Sequence, residues 1–256
     1  MVSYLSFIAA LIFGLVILEM SLFFPQLFWL SALIIAVFIV YRHYRMSLST
    51  RNIRFWITLV FQLLWLLLSI AFLIFIDMEI FKHAWVFLMA MLIPFNLLFL
   101  SVSVVPPDIK EKHQTLKVQY SGFLSLLSLY LTAAVSFAFV SILLFSPFVM
   151  ALVLLICTLF FTWMWLEYHL IPLKSRVIGT LIPSLVAVEA FAALTLWPAT
   201  VFAVAGLWLL SIYIMLGIIR QYLIFGKQGF TKRILGRYAL LFVIGFIAIF
   251  LTTRWG

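Results

Sequence analysis

Charge is what this chain has least of. Only 9% of its 256 residues are Asp, Glu, Lys or Arg, where a soluble globular domain carries about 25%. No polar stretch is long enough to form a separate soluble domain, so one domain over residues 1–256 is expected. Cysteine is nearly missing too. The single Cys157 sits inside an apolar run, which excludes a disulfide framework and a thiolate metal site and leaves the reading of a small core residue. The catalytic signatures are absent as well: no Gly-x-Ser-x-Gly, no P-loop, no dinucleotide fingerprint and no His-Glu-x-x-His. Neither a metal nor a cofactor is expected. An enzyme here would have to work inside a membrane, on a lipid or a membrane peptide, and no acid–base pair has the spacing for it. The first segment lacks a basic n-region and a small-residue cleavage site, so it is expected to be retained rather than removed as a signal peptide.

What is present is apolar. The sequence is 68% hydrophobic with a mean hydropathy of +1.32. No soluble fold buries that much apolar surface, so the solvent must be lipid. Nine apolar segments stand out, at 4–24, 27–41, 55–76, 84–105, 121–145, 148–170, 177–197, 200–219 and 238–253. Most approach the 20 or so residues that cross a bilayer as a helix. The second is short. If the first two formed a re-entrant pair, seven full spans would remain. The expected fold is therefore an all-α polytopic transmembrane bundle of seven to nine helices.

The net charge of +9 does not point to nucleic acid, because the bases fall in short clusters between the spans, as topology signals do. With the N-terminus inside, the inner loops take Arg42, Arg45, Arg51, Arg54, Lys110, Lys112, Lys117, Lys174, Arg176, Arg220, Lys227, Lys232, Arg233 and Arg237. Of the 16 Lys and Arg only Lys82 and Arg254 stay outside. This positive-inside pattern places the C-terminus outside. Trp29, Trp85, Trp197 and Trp255 fall near the outer boundary and Trp56 near the inner one, as interfacial anchors do.

A few polar residues interrupt the apolar segments. Glu189 lies past the middle of the seventh, on a face shared with Leu185, Ala192, Ala193 and Leu196. An ionisable side chain at that depth is costly and marks a functional candidate. Glu19, in the first segment, is about 6 Å different in depth at 1.5 Å per residue, so the two carboxylates could share a proton or a cation if their helices are neighbours. Ser121, Ser125, Ser128, Thr132 and Ser136 recur every three or four residues on one face of the fifth segment, the pattern of a close helix–helix seam with a polar solute path as the sharper alternative. Gln62 and Asn96, one amide on each of two adjacent segments, suggest interhelical hydrogen bonds. Glu167 and His169 are two apart, point to nearly opposite sides of a helix, and cannot chelate one ion well; His43, His83 and His113 read as loop residues. From Arg220 to Arg237, through Lys227, Lys232 and Arg233, bases interleave with aromatic and aliphatic residues, a composition suited to lipid headgroups or a docking partner.

The run Val188-Glu189-Ala190-Phe191, followed by Leu196-Trp197-Pro198, resembles a feature of uncharacterised multi-pass membrane proteins from reduced-genome bacteria: an intramembrane Glu, then aromatic and small residues, then a Pro at the outer helix end. The resemblance implies a bacterial cytoplasmic-membrane protein and supplies no activity. Three function classes follow. The first is a non-enzymatic membrane-embedded subunit or scaffold, meeting lipids and a membrane protein partner or a second copy. The next is a small proton- or cation-linked transporter using Glu189, with Glu19. The last is an intramembrane lipid-modifying enzyme.

Overall fold

The structure is a computed structural model that describes residues 4–46, 53–97, 99, 110–226 and 231–252. Among the described residues the chain is all helix: α1 (Tyr4–Phe23), a 3-10 turn (Pro25–Leu27), α2 (Phe28–Met46), α3 (Ile53–Ile74), α4 (Glu79–Asn96), α5 (Lys110–Ser141), α6 (Pro147–Tyr168), α7 (Leu173–Leu194), α8 (Val201–Phe225) and α9 (Lys232–Thr252). Seven of these, α2, α3 and α5 to α9, are long and apolar enough to cross a membrane. The protein is a multi-pass membrane protein. In lipid a helix satisfies its own backbone donors and acceptors, which is why apolar sequence of this length takes that form.

The two helices outside that set are α1 and α4. The described apolar part of α1 is Phe7–Phe23, within a helix of 20 residues. Helix α4 starts at Glu79, ahead of the apolar run expected from residue 84, so its first turns hold Glu79, Lys82 and His83. The far end of that expected segment lies outside the described residues. The helix ends also depart from the segments elsewhere. Helix α5 begins at Lys110 and runs for 32 residues, about 48 Å at 1.5 Å per residue, well beyond a hydrocarbon core of about 30 Å. Helix α8 continues through Phe225 and α9 starts at Lys232, so Arg220 and Arg237 sit on helices rather than in a loop. His43, His83 and His113 are likewise on helices, α2, α4 and α5.

The chain divides into two compact units, Met1–Ser121 and Gly122–Gly256, with the division inside α5. In the first, α1 packs most closely on α4 and joins α2, which leads to α3. Gly14 makes the α1–α4 contact: a Cβ added there would lie 3.3 Å from the Ile93 side chain and 3.6 Å from the Ala90 backbone. The end of α2 and the start of α3 are tied by buried His43, whose Nε2 is 3.2 Å from the Phe55 carbonyl.

In the second unit α6 packs on α7, α7 on α8 and α8 on α9. Helix α7 presents its small residues to these neighbours. Gly179, Thr180, Pro183, Ser184, Ala187 and Phe191 are buried, and a Cβ on Gly179 would sit 2.9 Å from Leu223 of α8 and 3.1 Å from Leu166 of α6. Where association is driven by close van der Waals packing, such residues hold membrane helices together. Phe191 packs against Phe137 of α5, ring centroids 4.6 Å apart and tilted by 38°, and Trp208 of α8 donates its indole N–H to the Ala187 carbonyl at 2.7 Å.

The α6–α7 turn has Leu170 at φ 59°, a left-handed conformation more often held by glycine. The Ile171 N–H closes it by donating to the Leu166 carbonyl at 3.2 Å. Arg176 then clamps the turn from α7. It donates to the Ile171 carbonyl at 3.0 Å and to the Glu167 carboxylate at 3.0 Å, and lies over the Trp163 ring at 5.1 Å.

Candidate functional site

Glu189 is exposed. On a helix, residues two apart point about 200° from each other, so Glu189 lies opposite Ala187 and Phe191, the residues that face the bundle. Its neighbours one turn away are exposed with it: Leu185, Ala192 and Ala193. No hydrogen bond or ion pair to Glu189 exists among the described residues. It lies five residues before Leu194, the last residue of α7, about 7.5 Å along the axis. The face that Glu189 shares with Leu185, Ala192 and Ala193 is an exposed surface of α7. A carboxylate there meets lipid or another molecule.

Glu19 has a partner inside the chain that sequence reasoning missed. Its Oε2 lies 2.9 Å from Nδ1 of His83, a contact between α1 and α4 across 64 positions of sequence. A hydrogen placed on Nδ1 is donated to the carboxylate, which leaves Nε2 to face other groups. Beside this pair opens a cleft of about 460 Å³ lined by Ser21, Leu22, Phe23, Phe28, Trp29, Leu73, Ile74, Glu79, Lys82 and His83. The cleft lies at the end of the first unit that the charge pattern marks as outer.

Gln62 and Asn96 lie together, though not side-chain amide to side-chain amide. Gln62 Nε2 donates to the Asn96 backbone carbonyl at 3.3 Å, and the Tyr120 hydroxyl donates to Asn96 Oδ1 at 2.5 Å. Gln62 is 0% and Asn96 1% exposed. Tyr120, from the start of α5, is the member of this cluster that the sequence reading left out. Among the described residues Asn96 Nδ2 has no partner, leaving a buried donor group for a small acceptor such as water.

The hydroxyl seam is buried along its whole length. Ser121, Ser125, Ser128, Thr132 and Ser136 are each 0–2% exposed. Three of its hydroxyls turn back on their own helix: Ser121 to the Val118 carbonyl, Ser128 to Leu124 and Thr132 to Ser128. Thr132 also meets the Cys157 thiol of α6, so the seam combines small size with one hydrogen-bonding contact across helices.

Of the basic candidates, Arg220 and Arg237 lie on helices and Lys232 opens α9. Lys227 and the side chain of Arg233 lie outside the described residues. Arg220 is half-buried and its charge adds to burial in holding the nearby His169 below the ordinary histidine value. His169 follows the last residue of α6, donates from Nδ1 to the Trp165 carbonyl at 2.7 Å and lies against the Trp165 ring at 4.3 Å, tilted by 38°. Among the described residues, no group of three His, Cys, Asp or Glu lies close enough to hold a metal ion.

The chain matches no known protein family, no curated protein and no solved structure.

Proposed function

We propose that this protein is a non-enzymatic, membrane-embedded subunit of a bacterial cytoplasmic membrane, N-terminus inside, that assembles with another membrane protein through the outer face of α7. The observation that carries this reading is the exposure of Glu189 on an apolar span, with no partner among the described residues. An acid on a membrane helix costs up to about 3 kcal/mol at the helix centre on the lenient insertion scale and less toward its ends, where Glu189 lies. A carrier would turn such a group toward a solvated path inside its bundle. Facing outward beside two alanines, it suits a helix that approaches closely and brings a Lys or Arg at the same depth. Charge complementarity names the occupant: a partner span bearing a base. The same face of a second copy brings none there, because the bases of α7, Lys174 and Arg176, lie in its first turn, more than a dozen residues before Glu189.

The test places a photo-reactive residue at Ala192, beside Glu189, and another at Leu152, an exposed position of α6. In native membranes Ala192 is expected to give a discrete protein adduct that Leu152 does not. The cross-linked peptide is expected to be a membrane span with a Lys or Arg, and Glu189→Gln is expected to abolish the adduct while leaving membrane level unchanged. Lipid adducts alone, a span without a base, or cross-linking to a second copy would overturn the reading.

A further inference from the structure

The cleft beside Glu19 and His83 has two chemically different walls. One is apolar: Leu22 of α1 and Leu73 and Ile74 of α3. The other is the first turns of α4, which set Glu79, Lys82 and His83 along one edge. Trp29 and Phe28 stand beside them, a placement typical of headgroup depth. The volume of about 460 Å³ lies within the range of small-ligand sites, roughly 300–1,000 Å³.

Three features give this edge an affinity for an anion. Lys82 brings a full charge. Helix α4 starts without a side-chain cap, since Met78 makes no capping hydrogen bond, so the positive end of its dipole is left to other groups. The His83 ring is oriented by Glu19 at 2.9 Å, which leaves Nε2 toward a ligand, a donor to an anion when the ring carries both protons. Glu79, three residues before Lys82, makes the edge unsuited to a bare anion and provides a counter-charge for a cation. Mixed charge beside an apolar wall is complementary to one chemistry.

We propose that this cleft binds a zwitterionic phosphodiester: the phosphate at Lys82 and His83, the amine at Glu79. A phospholipid headgroup and a free glycerophosphodiester share that chemistry. The lipid form gains further contact along Leu22 and Leu73.

The experiment uses the full-length protein, delipidated in detergent. Thermal stability and native mass spectrometry are read as phosphatidylethanolamine, phosphatidylcholine or phosphatidylglycerol is added, with soluble glycerophosphoethanolamine as a further arm. A zwitterionic lipid is expected to be retained more tightly than phosphatidylglycerol. Glu79→Gln and Lys82→Gln, at exposed and half-buried positions, are each expected to weaken retention about tenfold, the loss of one charge-assisted hydrogen bond. Saturation by the soluble diester as readily as by lipid would support the headgroup chemistry and assign it to a free ligand. Equal or tighter retention of phosphatidylglycerol would overturn the proposal, as would zwitterion binding unchanged in both variants while their melting points match the parent.

Discussion

Arg176 Nη1 lies 3.0 Å from Glu167 Oε2 across the α6–α7 turn, with the two side chains only 13% and 15% exposed. The pair is nearly shielded from solvent and shares its guanidinium with the Ile171 carbonyl. It holds together a turn that carries a left-handed leucine.

Removing one member should therefore cost more than a surface pair would. Breaking a buried pair from one side costs about 3–5 kcal/mol, and this one, slightly open, is expected at the lower end. Arg176→Gln should lower the melting temperature in detergent more than Glu167→Gln, because Arg176 also bonds a backbone carbonyl. The double variant should lose clearly less than the sum. Leu170→Gly is expected to raise the melting temperature, since glycine takes φ 59° without the roughly 1–2 kcal/mol that a side chain adds. Strictly additive losses in the cycle would show that the pair contributes nothing of its own.

The α8–α9 contact rests on Gly217. A Cβ added there would fall 2.6 Å from ring atoms of Tyr238, a rigid ring that can clear the space only by swinging away. Gly217→Ala is expected to push α9 off α8 while leaving the α6–α7 hairpin intact. Cysteines at Leu210 and Gly245, which approach within van der Waals range, give the readout: disulfide formation between them should fall in the Gly217→Ala background. Undiminished cross-linking would refute the claim.

His169 is expected to make the α6–α7 turn acid-sensitive. Burial, more than the nearby Arg220, lowers its pKa from the ordinary histidine value, against the pull of its hydrogen bond to Trp165. The unfolded chain then binds the proton more readily than the folded one, so stability rises with pH through this window. The contribution is full above the ordinary histidine range and is lost as the pH falls from there through the lowered folded value. His169→Gln is expected to flatten the acid limb of melting temperature against pH. An unaltered limb would locate the sensitivity elsewhere.

The sequence made the membrane class and the position of most spans legible, because hydropathy reports directly on lipid. Helix ends were not legible by the same signal. Lys110 to Lys117 continue α5 because charged residues are good helix formers, although they end its apolar run. The division at Ser121 falls inside a helix and leaves no mark in composition. Glu19 and His83 meet only because α1 lies against α4, and no local pattern encodes that choice. Arg176 and Glu167 are nine apart and straddle Ile171-Pro172, so the pair becomes visible once that turn is placed. The orientation of Glu189 was hidden for a further reason: in lipid the outer face of a helix is as apolar as its packed face. Gly179, Pro183 and Ala187 marked the true contact side of α7 through size, and Glu189 falls on the other.

Helix α9 has no buried residue across Ile234–Leu251 and rests on α8 alone among its significant contacts. Its apolar side chains lose nothing to lipid when it leaves that seam. Pulled from its C-terminal side, the molecule should therefore release α9 as a separate first step at low force, with the α6–α7 hairpin yielding later, so that the order of mechanical rupture follows the order in which the helices are knitted by small residues and by Arg176.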